Sequence, residues 1–436
     1  MLKSKIVKFG IFKGDNMNDS KKLFDILFDN SAYTELFPLS ENGGKALSAT
    51  AYGEVNGLNA YAFCQNSSPF SVVECEKLIK LYKLAIKTGS PIFGIYSSEG
   101  VDLNEGFKAF SAYSELLNTA FSVSGVVPQI SVIAGPCLGV ASVICNTADV
   151  VVGVKDTDFY ASSNSSLNTG SAEEKGIVDM LADNAEQAVE LAKKAVAYLP
   201  QNNLSPLPEF EFSPAESSND IIASFADEGS VTELKKGYAE NVVTAFATIG
   251  GTPCGIVRFN GKALCPSCAY KAEAFIKLCD AYNLPIITVA DSEGFSEGND
   301  AQLIIALTKL ASAYSNATCP KISLITKEAV GGAFILLAGK GANADVTLAW
   351  KNAVATPLPV DSAVAFMFSK RLSDGESREA LADEYRRADG SVLTAAKLGS
   401  IDDIINPEET RNKLIASLNM LSSKRETTIP RKHTVK

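Results

Sequence analysis

Between Ser48 and Asn66 the chain reads SATAYGEVNGLNAYAFCQN, with apolar and polar positions interleaved on both sides of Asn56-Gly57. That pattern predicts two strands joined by a tight hairpin turn, because Asn-Gly accepts the positive φ values such a turn needs. From Glu74 to Thr88 the period changes to that of a helix: Cys75, Leu78, Ile79, Tyr82 and Ile86 fall on one face, and Gly89 follows as a C′ residue. PIFGIYSSEG from Pro91 then reads as a strand and Phe107 to Phe121 as a helix. The stretch Ile130 to Ala141, ISVIAGPCLGVA, runs from β-branched residues through a small-residue turn into an apolar helix-like segment, and ADVVVGV from Ala148 is a further strand. Strands alternating with helices describe a layered α/β domain.

The same order of elements returns half a chain later. TAFATIGGTPCGIVRFNG from Thr244 matches the hairpin, Tyr270 to Tyr282 the helix, PIITVADSEGF from Pro285 the strand, and ADVTLAW from Ala344 the last strand. Ile322 to Ala333, ISLITKEAVGGA, matches Ile130 to Ala141, each preceded by a proline, Pro320 or Pro128. Repetition of a whole series at one spacing is the mark of an internal duplication. The expected organisation is a helical N-terminal extension over 1–42, a first domain over 43–199, a Pro- and Ser-rich linker over 200–218 and a second domain over 219–436.

With 436 residues, 46% of them hydrophobic and 21% charged, the chain is long enough for two such domains, each with a large core. Its formal net charge of −10 argues against a nucleic acid as principal ligand. Nine cysteines, odd in number and mostly set in apolar runs, suit reduced thiols. The basic N-terminus lacks an uninterrupted apolar core, and no run approaches the ~18 residues of a membrane span, so a cytoplasmic protein is expected.

Candidate chemistry is narrowed mainly by what is missing. The only histidine, His433, lies in the basic tail, which excludes Ser-His-Asp and Cys-His arrangements and histidine metal sites, and no metal is expected. Cys265-Pro-Ser-Cys268 is a lone CxxC without a second pair at zinc spacing, and it reads as structural thiols. No phosphate-binding GxxxxGK[ST] or GxGxxG loop is present. Glu99, Glu105, Asp291 and Glu293 stand in loops after strands, where solvated or helix-capping roles compete with general acid–base roles. What remains is backbone chemistry. The strand–turn–helix stretches aim free N–H groups around Gly139-Val140 and Gly332-Ala333 at a ligand, and two such sites suit two carbonyl oxygens that must each carry negative charge.

Longer motifs carry a resemblance. SGVVPQISVIAGPCLG (124–139), FIKLCDAYNLPIITVADSEGF (275–295), ATCPKISLITKEAVGGAF (317–334), ADVTLAW, EYRRADGS (384–391), GSIDDIINPEETR and KRETTIPRKH together resemble the carboxyltransferase subunits of biotin-dependent acyl-CoA carboxylases, of propionyl-CoA and methylcrotonyl-CoA carboxylase β type, and the related α subunits of acyl-CoA decarboxylases. The resemblance runs from about Ser48 to the C-terminus. It implies two tandem crotonase-like domains of the ClpP/crotonase ββα superhelix, an oligomer (a hexamer or a dimer of like subunits), and active sites formed between the first domain of one subunit and the second domain of another. It also implies carboxybiotin on a separate biotin carboxyl carrier protein as cofactor, a CoA thioester as substrate, and a biotin carboxylase or membrane decarboxylase subunit as further partner. In the implied reaction carboxybiotin releases CO₂, the biotin anion takes the α-proton, and the thioester enolate attacks CO₂. Carried over residue by residue, the N–H groups of Gly139 and Val140 would hold the thioester oxygen and those of Gly332 and Ala333 the biotin ureido oxygen. Gly100, Gly135, Pro136, Gly294, Phe295 and Gly331 would bind substrate, and Lys155 and Lys327 are candidate CoA contacts.

The chain departs from the family pattern near these residues. Val140 replaces the second glycine of the first turn, the family's DSGGAR loop reads Ser97-Ser98-Glu99-Gly100-Val101-Asp102, and the segment after Ser162 is shortened to SNSSLNTGSAEE. Two further functions fit the residues: a crotonase-type hydratase or hydrolase using Glu99 or Glu293, and a structural partner that assembles with an active carboxyltransferase.

Overall fold

The computed structural model describes residues 16–42, 45–46, 48–65, 69–162, 164–216, 218–341, 344–388 and 391–427. His433, with residues 1–15 and 428–436, lies outside them. Two compact units separate, one comprising 1–172 with 177–197, the other 173–176 with 198–436.

The first unit begins with helix α1 (Asn16–Leu27) and strand β1 (Tyr33–Glu35), followed by the hairpin β2 (Ala49–Val55) and β3 (Leu58–Cys64). At its tip Asn56 and Gly57 have φ of 52° and 73°, as a mirror-image turn requires. Its main elements after these are helix α2 (Val72–Thr88), strand β4 (Ile92–Ser98), helix α3 (Phe107–Val123), strand β5 (Gln129–Leu138), helix α4 (Val140–Cys145), strands β6 (Val150–Val154), β7 (Phe159–Tyr160) and β8 (Met180–Ala182), and helix α5 (Ala185–Val196). The sheet runs β1-β2-β3-β4-β5-β6-β8, with β7 paired to the far end of β5. It is antiparallel through the hairpin and parallel from β3 onward, because α2 and α3 carry the chain back between strands. Helix α2 forms as its apolar period predicts. Ser71 accepts the N–H of Glu74 at its start, Gly89 closes it in the left-handed conformation, and Leu78, Ile79, Leu81 and Tyr82 are buried beside Phe63, Tyr96 and Ile133. Ile86, expected on the same face, sits at the last turn and is exposed.

The second unit repeats this plan with β9 (Thr232–Leu234), β10 (Val242–Ile249), β11 (Thr252–Phe259), α6 (Pro266–Ala281), β12 (Ile286–Ser292), α7 (Asp300–Asn316), β13 (Lys321–Val330), α8 (Gly332–Leu337), β14 (Val346–Trp350), β15 (Val354–Thr356) and β16 (Asp403–Ile405). Its strand order, β9-β10-β11-β12-β13-β14-β16 with β15 on the far end of β13, is that of the first sheet. Helix α9 (Thr410–Leu421) buries Leu414 and Leu418 against Ile256, Ile287 and Leu324 of this sheet.

Two stretches behave differently from their sequence pattern. The described part of 1–42 is not helical throughout: after α1 the chain pairs β1 antiparallel with β2 inside the first unit. Residues 200–218 carry no helix or strand where described, yet Phe210 stacks on Tyr198 at 5.6 Å and its N–H bonds the Gly251 carbonyl at 3.3 Å. An aromatic ring with apolar surface to bury holds a Pro- and Ser-rich segment down. Among the described residues no helix is long and apolar enough to cross a membrane, and no cluster of three His, Cys, Asp or Glu side chains could hold a metal ion.

Candidate active site

Each unit's site is set by its longest strand. Residues 129–133 of β5 pair in register with β4, after which Ser98 pairs with Cys137, so Ala134, Gly135 and Pro136 bulge opposite the single residue Ser97. The end of β5 then turns to β7, where Cys137 and Leu138 pair with Phe159 and Tyr160. In the second unit the irregularity recurs at the same place: Ser292 pairs with Ala329, and Ala329 and Val330 pair with Ala355 and Thr356 of β15. A bulge bends a strand and re-aims the residues beyond it. Here it delivers both strand ends to a glycine outside the usual L-residue conformations, Gly139 (φ 64°, ψ −137°) and Gly331 (φ 55°, ψ −123°), each opening a six-residue helix.

The two turns therefore correspond as Gly139 with Gly331, Val140 with Gly332 and Ala141 with Ala333. This moves one expected donor. The N–H of Gly139 bonds the Tyr160 carbonyl at 2.9 Å, and that of Gly331 bonds the Thr356 carbonyl at 2.8 Å. Gly139 is thus a fixed corner, and its N–H is not available to a ligand. The groups that lack an intrahelical acceptor are the first N–H groups of α4 and α8, those of Val140 and Ala141 and of Gly332 and Ala333. The far ends of these helices are clamped alike: the Ser131 hydroxyl donates to the Cys145 carbonyl at 2.8 Å and the Ser323 hydroxyl to the Leu337 carbonyl at 2.7 Å. These serines are the second residue of ISVI and ISLI, a signal the repeat carried openly.

The loops beside the turns are also paired. Gly100 (φ 101°) and Gly294 (φ 124°) each donate to the serine two residues back, Ser98 at 3.2 Å and Ser292 at 3.4 Å. Their carbonyls accept from Phe70 and Leu264. The residues after them, Val101 and Phe295, form matching isolated bridges to Phe70 and Leu264. The Phe295 ring, 42% exposed, occupies the space where a side chain on Gly332 would project. In the first turn that arrangement is exchanged for Val101 and a half-exposed Val140. Gly135 lies against the Ser97 side chain, where a Cβ would overlap it, and Pro136 beside it is half-buried. At the equivalent place in the second unit Lys327 reaches the buried Asp291 carboxylate at 3.7 Å. Burial raises the Asp291 pKa and the Lys327 ammonium opposes that shift.

Of the other candidates, Glu105 accepts the Val72 N–H at 2.6 Å and caps α2. Glu99 and Glu293 are exposed. Lys155 is exposed and pairs with Asp183 at 2.6 Å. Cys265 is the N-cap of α6, and its sulfur accepts the Cys268 N–H at 3.3 Å. Hydrogen bonding from the Cys268 thiol, helped by backbone N–H groups and opposed by burial, brings the Cys265 thiol down to about 6, while Cys268 is pushed up.

A family model described as the carboxyl transferase domain matches residues 25–435. The propionyl-CoA carboxylase carboxyltransferase subunit of Haloferax mediterranei is 32% identical over 434 residues, covering 88% of this chain and 84% of that protein. The α subunit of methylmalonyl-CoA decarboxylase from Propionigenium modestum is 30% identical over 435 residues, with the same shares covered. Among solved structures, the transcarboxylase 12S hexamer with methylmalonyl-coenzyme A bound matches with a TM-score of 0.88 at 27% identity, over 95% of this chain and 92% of that one.

Proposed function

The chain belongs to the carboxyl transferase domain family, and on that premise we propose that it moves a carboxyl group between carboxybiotin, carried on a separate protein, and the α-carbon of a short acyl-CoA of propionyl/methylmalonyl or acetyl/malonyl type. The observation that carries this reading is the pair of equivalent turns, each presenting two N–H groups at the start of a helix whose preceding N–H is bonded within the fold. Carboxybiotin supplies the carboxyl group and, once that is lost, the base that takes the α-proton. The protein's part is to orient dipoles toward developing negative charge, in a site where no side-chain base is required.

In the first turn the Val140 and Ala141 N–H groups hold the thioester oxygen as the α-carbon loses its proton. A valine keeps the donor that a glycine would supply, and its side chain stands half-exposed beside the site. In the second turn Gly332 and Ala333 offer donors to the ureido oxygen, with the Phe295 ring as the wall over Gly332. That turn fits a planar amide-like group because the residue at its mouth has no side chain of its own. Carboxylation and decarboxylation share this transfer step, so the partner subunit, a biotin carboxylase or a decarboxylase, sets the direction.

Assembly belongs to the same reading. Phe107 and Phe110 at the start of α3, with Val140 and Val143 on the adjoining α4, form an exposed apolar face around the first turn; Ile304 and Ile305 on α7 with Ile335 on α8 form another around the second. Such faces in an otherwise acidic chain are suited to covering by like subunits. Purified protein incubated with methylmalonyl-CoA or malonyl-CoA and free biotin is expected to form carboxybiotin and the decarboxylated acyl-CoA. A folded oligomer that transfers from neither substrate would replace this reading with that of a structural partner to an active subunit.

A further inference from the structure

The duplication supplies an internal control for Cys265-Pro-Ser-Cys268. In the first unit the start of α2 is built by Ser71 and Glu74, with the Ser71 hydroxyl accepting the Glu74 N–H at 3.3 Å. In the second unit the same two positions, at the start of α6, are Cys265 and Cys268, and the Cys265 sulfur accepts the Cys268 N–H at the same 3.3 Å. Capping alone is met by serine, which is among the preferred N-cap residues, and sulfur is a weak acceptor. Replacement of both positions by cysteine is therefore unexplained by helix stability. Residues three apart on a helix bring their Cβ atoms to ~5–6 Å, and small rotations close this to the span a disulfide needs. The two thiols also differ in access. Cys265 is the one cysteine of the nine that is not buried, whereas Cys268 is 1% exposed beneath it.

We propose that Cys265 and Cys268 form a redox-active dithiol, a modification site that hydrogen peroxide converts to an intrachain disulfide. With hydrogen peroxide, the Cys265 thiolate attacks one oxygen, the O–O bond breaks, and hydroxide leaves and is protonated to water, giving a sulfenic acid on Cys265. The Cys268 sulfur then attacks that sulfur; the S–O bond breaks, a second water leaves with the Cys268 proton, and the S–S bond forms. Two thiols are oxidised and one peroxide is reduced to two waters. The lowered pKa of Cys265 supplies the thiolate at neutral pH, and the raised pKa of Cys268 keeps it protonated until it resolves the intermediate. The site lies next to Leu264, the residue bridged to Phe295. The proposal does not depend on the acyl-CoA assignment, since it is read from thiol chemistry alone.

The test treats the full-length protein under native conditions with hydrogen peroxide, blocks residual thiols with iodoacetamide, and maps the digest by mass spectrometry. The peptide holding both cysteines is expected to lose two hydrogens and to regain alkylation after dithiothreitol, with the other seven cysteines, all buried, unchanged. Cys265→Ser, which restores the cap of the first unit and so folds, is expected to abolish this loss. Cys268→Ser, which keeps a hydrogen-bond donor beside Cys265 but has no thiol to resolve the intermediate, is expected to leave Cys265 as a sulfenic acid that a dimedone probe captures. Iodoacetamide labelling of Cys265 should reach its plateau well below pH ~8.5, the ordinary thiol value. Persistence of both thiols under peroxide, oxidation spread over the buried cysteines, or labelling of Cys265 that rises only around pH ~8.5 would each overturn the proposal.

Discussion

Gly332 and Phe295 are coupled by shape, and a double-mutant cycle measures the coupling. An ideal Cβ placed on Gly332 overlaps three ring carbons of Phe295, two of them well inside 3.0 Å. The ring must retreat by ~1 Å to restore ordinary contact, which forces an off-rotamer side chain or a swing into solvent and costs about 1–3 kcal/mol. Because Phe295 is 42% exposed, the swing is open to it and the protein still folds. Gly332→Ala is therefore expected to lower the denaturant midpoint, at fixed protein concentration, by an amount equivalent to about 1–3 kcal/mol, and to reduce carboxyl transfer by displacing the wall of the second turn. Phe295→Ala removes the obstruction, so the double variant should recover most of the stability lost in Gly332→Ala. A coupling energy of about 0.5–3 kcal/mol is the expected signature. Additive effects of the two substitutions would refute the packing argument. Gly139→Ala is the matched control: its Cβ meets nothing within 4 Å, so its cost should come from the positive φ alone and be indifferent to Phe295→Ala.

Three further outcomes rest on contacts elsewhere in the fold. Arg411 donates to the carbonyls of Ser213 and Phe225 and to Asp227, which is buried and also accepts from Gly250 and Gly251; Arg411→Ala leaves that carboxylate without its cation and is expected to destabilise by about 3–5 kcal/mol in denaturant unfolding, with loss under ~1 kcal/mol contradicting the assignment. Burial holds Lys271 down to about 8, below the unfolded value, while its ammonium donates to the carbonyls of Lys235 and Tyr238. Between about 8 and ~10.4 the unfolded chain binds the extra proton, so this group makes stability rise with pH in that window, and the difference between wild type and Lys271→Met should grow across it; a flat difference contradicts the shift. Glu105→Ala removes the acceptor of the Val72 N–H and is expected to cost about 0.5–2 kcal/mol while leaving carboxyl transfer unchanged, whereas loss of transfer in a folded variant would make Glu105 an acid–base candidate again.

The duplicated strand, turn and helix were legible because hydrophobic period and turn chemistry are local: the 56–57 hairpin, α2 up to Gly89 and both long strands arise from them. The displacement of the donors by one residue at the first turn was not. It depends on β7, two residues in a segment with no periodic pattern, whose Tyr160 carbonyl captures the Gly139 N–H. The bulge of 134–136 over Ser97 is equally tertiary, since it is set by pairing between strands that succeed one another only through α3. Glu105 read as a candidate acid because a carboxylate in a loop is ambiguous until the helix start it faces is known. Phe210 escaped notice within a stretch that composition marks as linker. The thiols of 265 and 268 were visible as a motif, but their meaning came from aligning them with Ser71 and Glu74, which only the shared topology makes equivalent.

In the proposed mechanism, backbone N–H groups at the first turn, beginning with that of Val140, stabilise charge on the thioester. Val140 is the first residue of α4, a position where proline is tolerated, so Val140→Pro deletes one N–H without breaking the helix. Val140→Ala keeps the N–H and serves as the control. Transfer from methylmalonyl-CoA or malonyl-CoA to free biotin is expected to fall about 10²–10³-fold in Val140→Pro and to stay close to wild type in Val140→Ala. Equal rates in Val140→Pro and Val140→Ala, with both folded and assembled, would contradict the account.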